Sequence, residues 1–266
     1  MDLKLAGQHV LITGGSKGIG LACAAGFLKE GARVSLVSRS PTNLVNGVAQ
    51  LLQDMPQANG MIGTAAADLR VASQAEAALA EVEHRFGDVD VLVNSAGAAR
   101  RSPPDELNAQ AWHDAMDAKF FSYIHMMDIV VKKMALRGAG AIVNVIGAGG
   151  KVASPIHMPG GAANAALMLV TAGLAAAYGP RGVRVNAVNP GATVTDRLVE
   201  GLQAAARLDN ISVDEAMRRV SKNVPLGRLA MPEEIANMVL FLASSCASYV
   251  TGAIVSMDGA ATPMVV

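Results

Sequence analysis

The 266 residues carry 22 basic and 22 acidic side chains, so no net charge is available to attract nucleic acid or an anionic membrane. Apolar residues make up 52% of the chain but aromatic ones only 3%, which builds the core from Ala, Val and Leu and suits buried parallel strands under closely packed helices. Cys23 and Cys246 lie far apart, excluding a disulfide framework and any metal-ligand spacing, and fit a reducing setting.

In chain order, the opening "MDLKLAGQHVLITGG" lacks the basic region and apolar run of a secretory leader, and later apolar stretches break before membrane length. A soluble cytoplasmic protein is expected, with neither nucleic acid nor membrane as partner. "HVLIT" (9–13) predicts a first buried strand, "GIGLACAAGFLKEG" (18–31) a helix closed by Gly31, and "RVSLVS" (33–38) a second strand. Further strands are expected in "GMIGTAAAD" (60–68), "VDVLVNSAG" (89–97), "GAIVNVIG" (140–147), "VRVNAVNPG" (183–191) and "GAIVSMDG" (252–259). Strands spaced by helix-length segments predict βαβ crossovers: a single α/β domain over residues 1–266, Rossmann-type and doubly wound, whose mainly parallel seven-stranded sheet carries helices on both faces. Residues 192–230 are the least regular and read as a long loop that closes over a ligand.

"ITGGSKGIG" (12–20) follows the first strand and opens the first helix. Gly14 permits a tight turn, Gly18 brings backbone close to a pyrophosphate, and Gly20 allows close helix–strand packing, with Ser16, Lys17 and Ile19 in the same loop. The helix N-terminus then offers unpaired N–H groups and its positive dipole end to phosphates. After the second strand, Ser38 and Arg39 stand where a NAD-selective site carries a carboxylate; with Lys17 they favour a ribose 2′-phosphate, hence NADP over NAD. The competing reading makes both cations solvated surface charges. Asp68 is a candidate acceptor for an adenine amino group and Asn94 a brace for the adjoining loops; both are equally readable as strand-end caps.

"TGGSKGIG", "NSAG" and "RVNAVNPGATVT", with "DG" at Asp258 and Gly259, together resemble the classical short-chain dehydrogenase/reductase family over essentially the whole chain. The resemblance implies NAD or NADP as cofactor and adds Gly97, Pro190, Gly191 and Thr195 to the cofactor-binding candidates. It implies no metal.

The same resemblance locates what is missing. The family uses a Tyr to exchange the hydroxyl proton, a Lys four residues later to lower its pKa and hold the ribose, a Ser to polarise the carbonyl, and an Asn to anchor a water chain. Counting back without gaps from "RVNAVNPG", the Lys position falls on Asn164 and the Tyr position on Gly160. The Ser position falls on Gly147, and the Asn position, counted from Trp112, on Lys119. No Tyr-x-x-x-Lys occurs anywhere in the chain. Hydride transfer to a ketone leaves an alkoxide that must be protonated, a task worth about 10²–10⁴-fold in rate; glycine supplies no proton. No residue is therefore assigned a catalytic role, and cofactor affinity is expected to be weakened or lost without the Lys.

Three functions follow as expectations. The first is a non-catalytic subunit paired with a catalytically intact paralogue in a hetero-oligomer, most simply a tetramer. It resembles two-subunit dehydrogenases that oxidise 3-hydroxyacyl-CoA-type thioesters in aromatic degradation. The alanine-rich stretch 160–179 and the helix around 106–135 would supply the interface that the family resemblance implies, and the apolar end "ATPMVV" would dock on a neighbour. The second is a stand-alone lyase, hydrolase or isomerase whose chemistry has moved to His157 or Lys119, with Lys151 near the same cleft. The third is an NADP(H)-binding sensor. For Lys119 itself a solvated or salt-bridged role is expected.

Overall fold

The structure, a computed structural model, describes residues 2–97, 101–196, 198–199, 202–203, 206 and 210–264. Seven strands form one sheet: β1 (His9–Thr13), β2 (Arg33–Ser38), β3 (Ile62–Ala66), β4 (Val91–Asn94), β5 (Gly140–Val145), β6 (Val183–Pro190) and β7 (Ile254–Met257). Their order is β3-β2-β1-β4-β5-β6-β7, and every pairing is parallel. The expected strands are all present, and the sheet is wholly rather than mainly parallel.

Parallel neighbours require crossovers, and helices supply them: α1 (Gly18–Lys29), α2 (Pro41–Asp54), α3 (Ala72–Phe86), α4 (Ala109–Ala115), α5 (Ser122–Arg137) and α6 (Met158–Tyr178). Two more, α7 (Val213–Lys222) and α8 (Pro232–Ala243), precede β7. Because side chains alternate along a strand, β1 sends Val10 and Ile12 to one face and Leu11 to the other. Val10 and Ile12 pack with Phe27 of α1 and Val239 of α8. Leu11 packs in the opposite layer with Leu79 of α3, Met126 and Val130 of α5 and Leu167 of α6.

Three boundaries differ from expectation. The first helix stops at Lys29, and Gly31 takes a positive φ of 77° that starts the turn into β2. The helix expected around 106–135 is two α-helices joined by a π-helical segment, Met116–Phe121. Residues 192–230 are not simply a loop, since α7 lies within them and packs Ala216 against Leu202 and Ala206 in a small separate core.

The sheet reverses direction of growth between β1 and β4. Thr13 pairs with Val37 on one side and Asn94 on the other, so the loops leaving β1, β2 and β4 emerge at one level. In open α/β sheets ligands bind in the crevice at such a switch point.

Candidate functional site

The loop between β1 and α1 needs its glycines. Gly14 has φ +67°, and a β-carbon there would stand 2.7 Å from the carbonyl oxygen of Ser95. A β-carbon on Gly20 would stand 2.3 Å from the carbonyl oxygen of Gly14, so the first turn of α1 closes directly on the loop. This is the tight cradle that a pyrophosphate requires. Thr195, from the loop after β6, lies against Gly18 on the other side, with its methyl group 3.3 Å from where a Gly18 β-carbon would be.

Beside the cradle lies a cavity of about 460 Å³. Of the sequence candidates, Gly14, Lys17, Arg39, Asp68 and Gly97 line it. Ser16 is buried behind it and donates from Oγ to Ser38 Oγ at 3.1 Å, tying the glycine loop to the end of β2. Arg70, which the sequence did not single out, is the main addition to the wall. Its Nε donates to both carboxylate oxygens of Asp68 at 3.0 Å and its Nη2 to Oδ2 at 2.5 Å. The Arg70 guanidinium holds the Asp68 carboxyl below the usual carboxylate range. Asp68 therefore already has a cationic partner where an adenine donor was expected. Three cations, Lys17, Arg39 and Arg70, surround one carboxylate.

Asn94 is a brace. It is fully buried, its Oδ1 accepts from Thr13 Oγ1 and its Nδ2 donates to Asn144 Oδ1. Asn144 passes the chain on to Thr171 of α6, while Thr13 Oγ1 accepts from the Ser95 and Ala96 amides. Four elements are thus fixed behind the pocket by a buried network whose members satisfy one another. Pro190 is also buried, and Gly191 donates its N–H to Met257 O, so both shape the end of β6 from behind. Ile19 is half-buried in the first turn of α1.

Of the positions at which the resemblance places the family's catalytic groups, Gly147 and Asn164 face each other, the Asn164 amide nitrogen lying 3.3 Å from where a Gly147 β-carbon would be. Gly147 has φ +128° and ψ 144°, a region that L side chains rarely adopt. Its N–H donates to Asn189 Oδ1 at 3.4 Å. Gly160 and Asn164 lie on the buried face of α6. Asn164 is 5% exposed, and its Oδ1 is buried without a hydrogen-bond partner.

Lys119 is not solvated. It is buried in the π-helical segment, donating to Tyr123 Oη at 2.7 Å and to the Val145 carbonyl at 3.1 Å. Tyr123 donates to the same carbonyl at 2.5 Å, and complete burial pushes its phenol well above the ordinary tyrosine range. Lys119 thus pins the end of β5 two residues before Gly147. Lys151 does not turn into the cleft either; its Nζ donates to Ser256 Oγ of β7 at 3.3 Å. His157 lies near the loop after β5, with its ring carbon 3.2 Å from where a Gly149 β-carbon would begin. The last two residues of the "ATPMVV" end fall outside the described residues; Met264 before them is exposed.

Among the described residues, no group of three or more His, Cys, Asp or Glu could hold a metal ion.

Comparison with known proteins places this geometry. Residues 14–262 match the family described as enoyl-(acyl carrier protein) reductase. D-threitol dehydrogenase of Mycolicibacterium smegmatis is 34% identical over 264 residues, covering 98% of this chain and 95% of that protein. L-sorbose reductase from Gluconobacter frateurii, solved with NADPH and L-sorbose, superposes with a TM-score of 0.93 at 28% identity, covering 100% of both chains. An NADPH-bound short-chain oxidoreductase from Pseudomonas aeruginosa PAO1, described as containing an atypical catalytic center, superposes with a TM-score of 0.87 at 30% identity. It covers 97% of this chain and 98% of its own.

Proposed function

The chain belongs to the short-chain dehydrogenase/reductase family, and from that premise we propose that it is the non-catalytic subunit of a hetero-oligomeric NAD(P)-dependent oxidoreductase, assembled with a catalytically intact paralogue. The observation that carries this reading is the state of the catalytic positions. Gly160 and Asn164 offer neither a phenol nor an ammonium, and Gly147 sits in a backbone conformation hostile to the serine it replaces. A single lost group is compatible with an altered mechanism. Loss of the whole constellation removes the means to stabilise and protonate an alkoxide.

The outer face of α6 supports the assembly half of the reading. The helix has no charged residue in 21, yet only part of it is buried against the sheet. Ala162, Ala165, Leu169, Ala172, Gly173 and Ala176 are all exposed, with Leu169 at 76%. Small residues let a neighbouring helix approach closely, and an apolar helix face of this length gains by being covered. A second copy of this architecture, arranged about two-fold axes into a tetramer, suits it.

The residues of the glycine loop fit a dinucleotide pyrophosphate, and Lys17 and Arg39 suit NADP(H) rather than NAD(H). The NADPH complexes of the sorbose reductase and the Pseudomonas oxidoreductase are consistent with that choice. The proposal extends to the active partner's substrate as a secondary alcohol of the 3-hydroxyacyl-CoA type, with 2-(hydroxybenzyl)succinyl-CoA as the assay substrate. Co-expression with an intact-motif paralogue, followed by purification and assay of each chain alone and of the complex, tests the proposal. Stable co-purification with turnover only when the paralogue is present is expected; oxidation or reduction by this chain alone overturns it.

A second reading has one observation in its favour. His157 lies beside Gly149 and Asn164, next to the vacated positions, and the Pseudomonas relative shows that an NADPH-binding member of the family can carry an atypical center. If His157 is a relocated general base, His157→Ala abolishes an activity that the isolated chain possesses.

A further inference from the structure

The amino end of the sheet holds a buried base that the nucleotide site does not use. His9 opens β1, and its side chain is fully buried, at 0% exposure. Side chains alternate along a strand, so His9 shares its face of the sheet with Arg33, its register partner on β2, and with Ser35 two residues further on. The ring Nδ1 lies 2.8 Å from the Gly87 carbonyl oxygen, and Nε2 lies 2.8 Å from Ser35 Oγ. Phe86 meets the ring edge to face, with centroids 5.5 Å apart. One imidazole therefore joins β1, β2 and the turn between α3 and β4.

The partners dictate where the proton sits. A carbonyl only accepts, so Nδ1 carries the hydrogen and donates to Gly87. Nε2 is then bare and accepts from the Ser35 hydroxyl, which is itself fully buried. The neutral ring satisfies both contacts. A second proton, on Nε2, reverses the Ser35 bond and takes away the acceptor of the serine hydrogen.

The surrounding charges do not offset that proton. Arg33 of β2 and Arg85 of α3 both face the corner, their guanidiniums 5.8 and 5.0 Å from the Phe86 centroid. The carboxylates are Asp88 and Asp90 of the turn. Arg137 of α5 lies 3.1 Å from Asp88 and 3.9 Å from Asp90, and Asp90 also accepts from the His9 backbone N–H at 2.9 Å. Burial, aided by Arg33, holds the imidazole below the ordinary histidine value of 6.5, against the opposing pull of the Gly87 carbonyl and Asp90.

We propose that His9 is an acid-sensitive latch: neutral, it fastens the start of β1 to β2 and to the α3–β4 turn, and protonation in a mildly acidic medium releases that corner of the sheet. β1 is five residues long, and Thr13 at its other end leads into the glycine loop, so the latch holds the strand that carries the nucleotide site. The folded ring takes up a proton less readily than the unfolded one. The latch therefore contributes fully above pH 6.5, and its contribution is lost as pH falls from there toward the lower folded value.

Urea unfolding of the full chain between about pH 5 and 8, in the parent and in His9→Gln, tests this. The glutamine amide can donate a hydrogen bond but takes up no proton in this range. The parent's unfolding equilibrium constant is expected to rise below pH 6.5 by up to ~10-fold per pH unit more than that of the variant. An acid limb of equal steepness in the two proteins overturns the proposal. Where His9→Gln does not fold, nitrogen-15 spectra of the histidine-labelled parent decide, with the His9 ring identified by the shift of its Nε2 signal in Ser35→Ala. His9 is expected to remain the neutral Nδ1–H tautomer at pH 6.5 in the folded chain; a ring half-protonated at or above that pH overturns the proposal.

Discussion

The Asn164 amide nitrogen lies 3.3 Å from the point where a side chain on Gly147 would begin. These are two of the positions that hold the Lys and Ser in active family members, and here they pack against each other. Gly147 stands at φ +128°, a conformation that L side chains rarely adopt, where the loop after β5 meets α6. Restoring the chemistry residue by residue therefore meets backbone resistance. The variant combining Gly147→Ser, Gly160→Tyr, Asn164→Lys and Lys119→Asn is expected to show no dehydrogenase activity. Gly147→Ser alone is expected to lower the unfolding free energy by about 1–3 kcal/mol, the cost of holding a non-glycine residue in such a region. Activity assays and urea midpoints of the single and combined variants check both statements.

Tyr123 and Lys119 form a buried pair that fixes the end of β5 through the Val145 carbonyl. Tyr123→Phe removes an acceptor from a buried ammonium and a donor from a buried carbonyl. A loss of about 1–3 kcal/mol in urea denaturation is expected, with no change in nucleotide affinity, because neither group faces the pocket. A large change in affinity without a change in stability would assign the pair to the ligand instead.

Cys23 lies wholly inside the core layer between the sheet and α1, where burial pushes its thiol up to about 12 from an ordinary value of 9.0. Above pH 9 the unfolded thiol loses its proton while the folded one keeps it, so the folded state binds more protons and stability falls with rising pH. The contribution is complete below pH 9 and is lost between 9 and about 12, at up to ~1.4 kcal/mol per pH unit. Urea unfolding of Cys23→Ala across this range is expected to give a shallower alkaline limb than the parent chain, whatever its stability at neutral pH.

The sheet and the glycine loop were legible in the sequence because they depend on local signals: short β-branched runs and glycines at fixed offsets in "ITGGSKGIG". What stayed hidden depends on which segments meet. Arg70 reaches the pocket only because it folds back onto Asp68 two residues earlier, and no local pattern distinguishes it from a surface arginine. Lys119 is buried because a π-helical segment turns it toward Val145, and its charge suggested solvent. Asn94 was read as a brace, but its partners were not: Thr13 and Asn144 flank it only through the sheet register.

Leu169 stands 76% exposed in the middle of the uncharged face of α6. Leu169→Glu leaves the isolated chain within about 0.5 kcal/mol of its original stability, as expected for an exposed position. The same change is expected to abolish co-purification with the paralogue, read by size-exclusion chromatography of the co-expressed pair. Retention of the complex would move the interface to another face.

The most direct measurement of the central claim is turnover by the hetero-oligomer after the paralogue's own catalytic Tyr has been changed to Phe, with this chain left intact. If this chain is non-catalytic, activity falls to the background of the paralogue variant alone, although the complex still forms. Residual turnover that survives the Tyr→Phe change and disappears on His157→Ala would place a working active site in this chain and contradict the account.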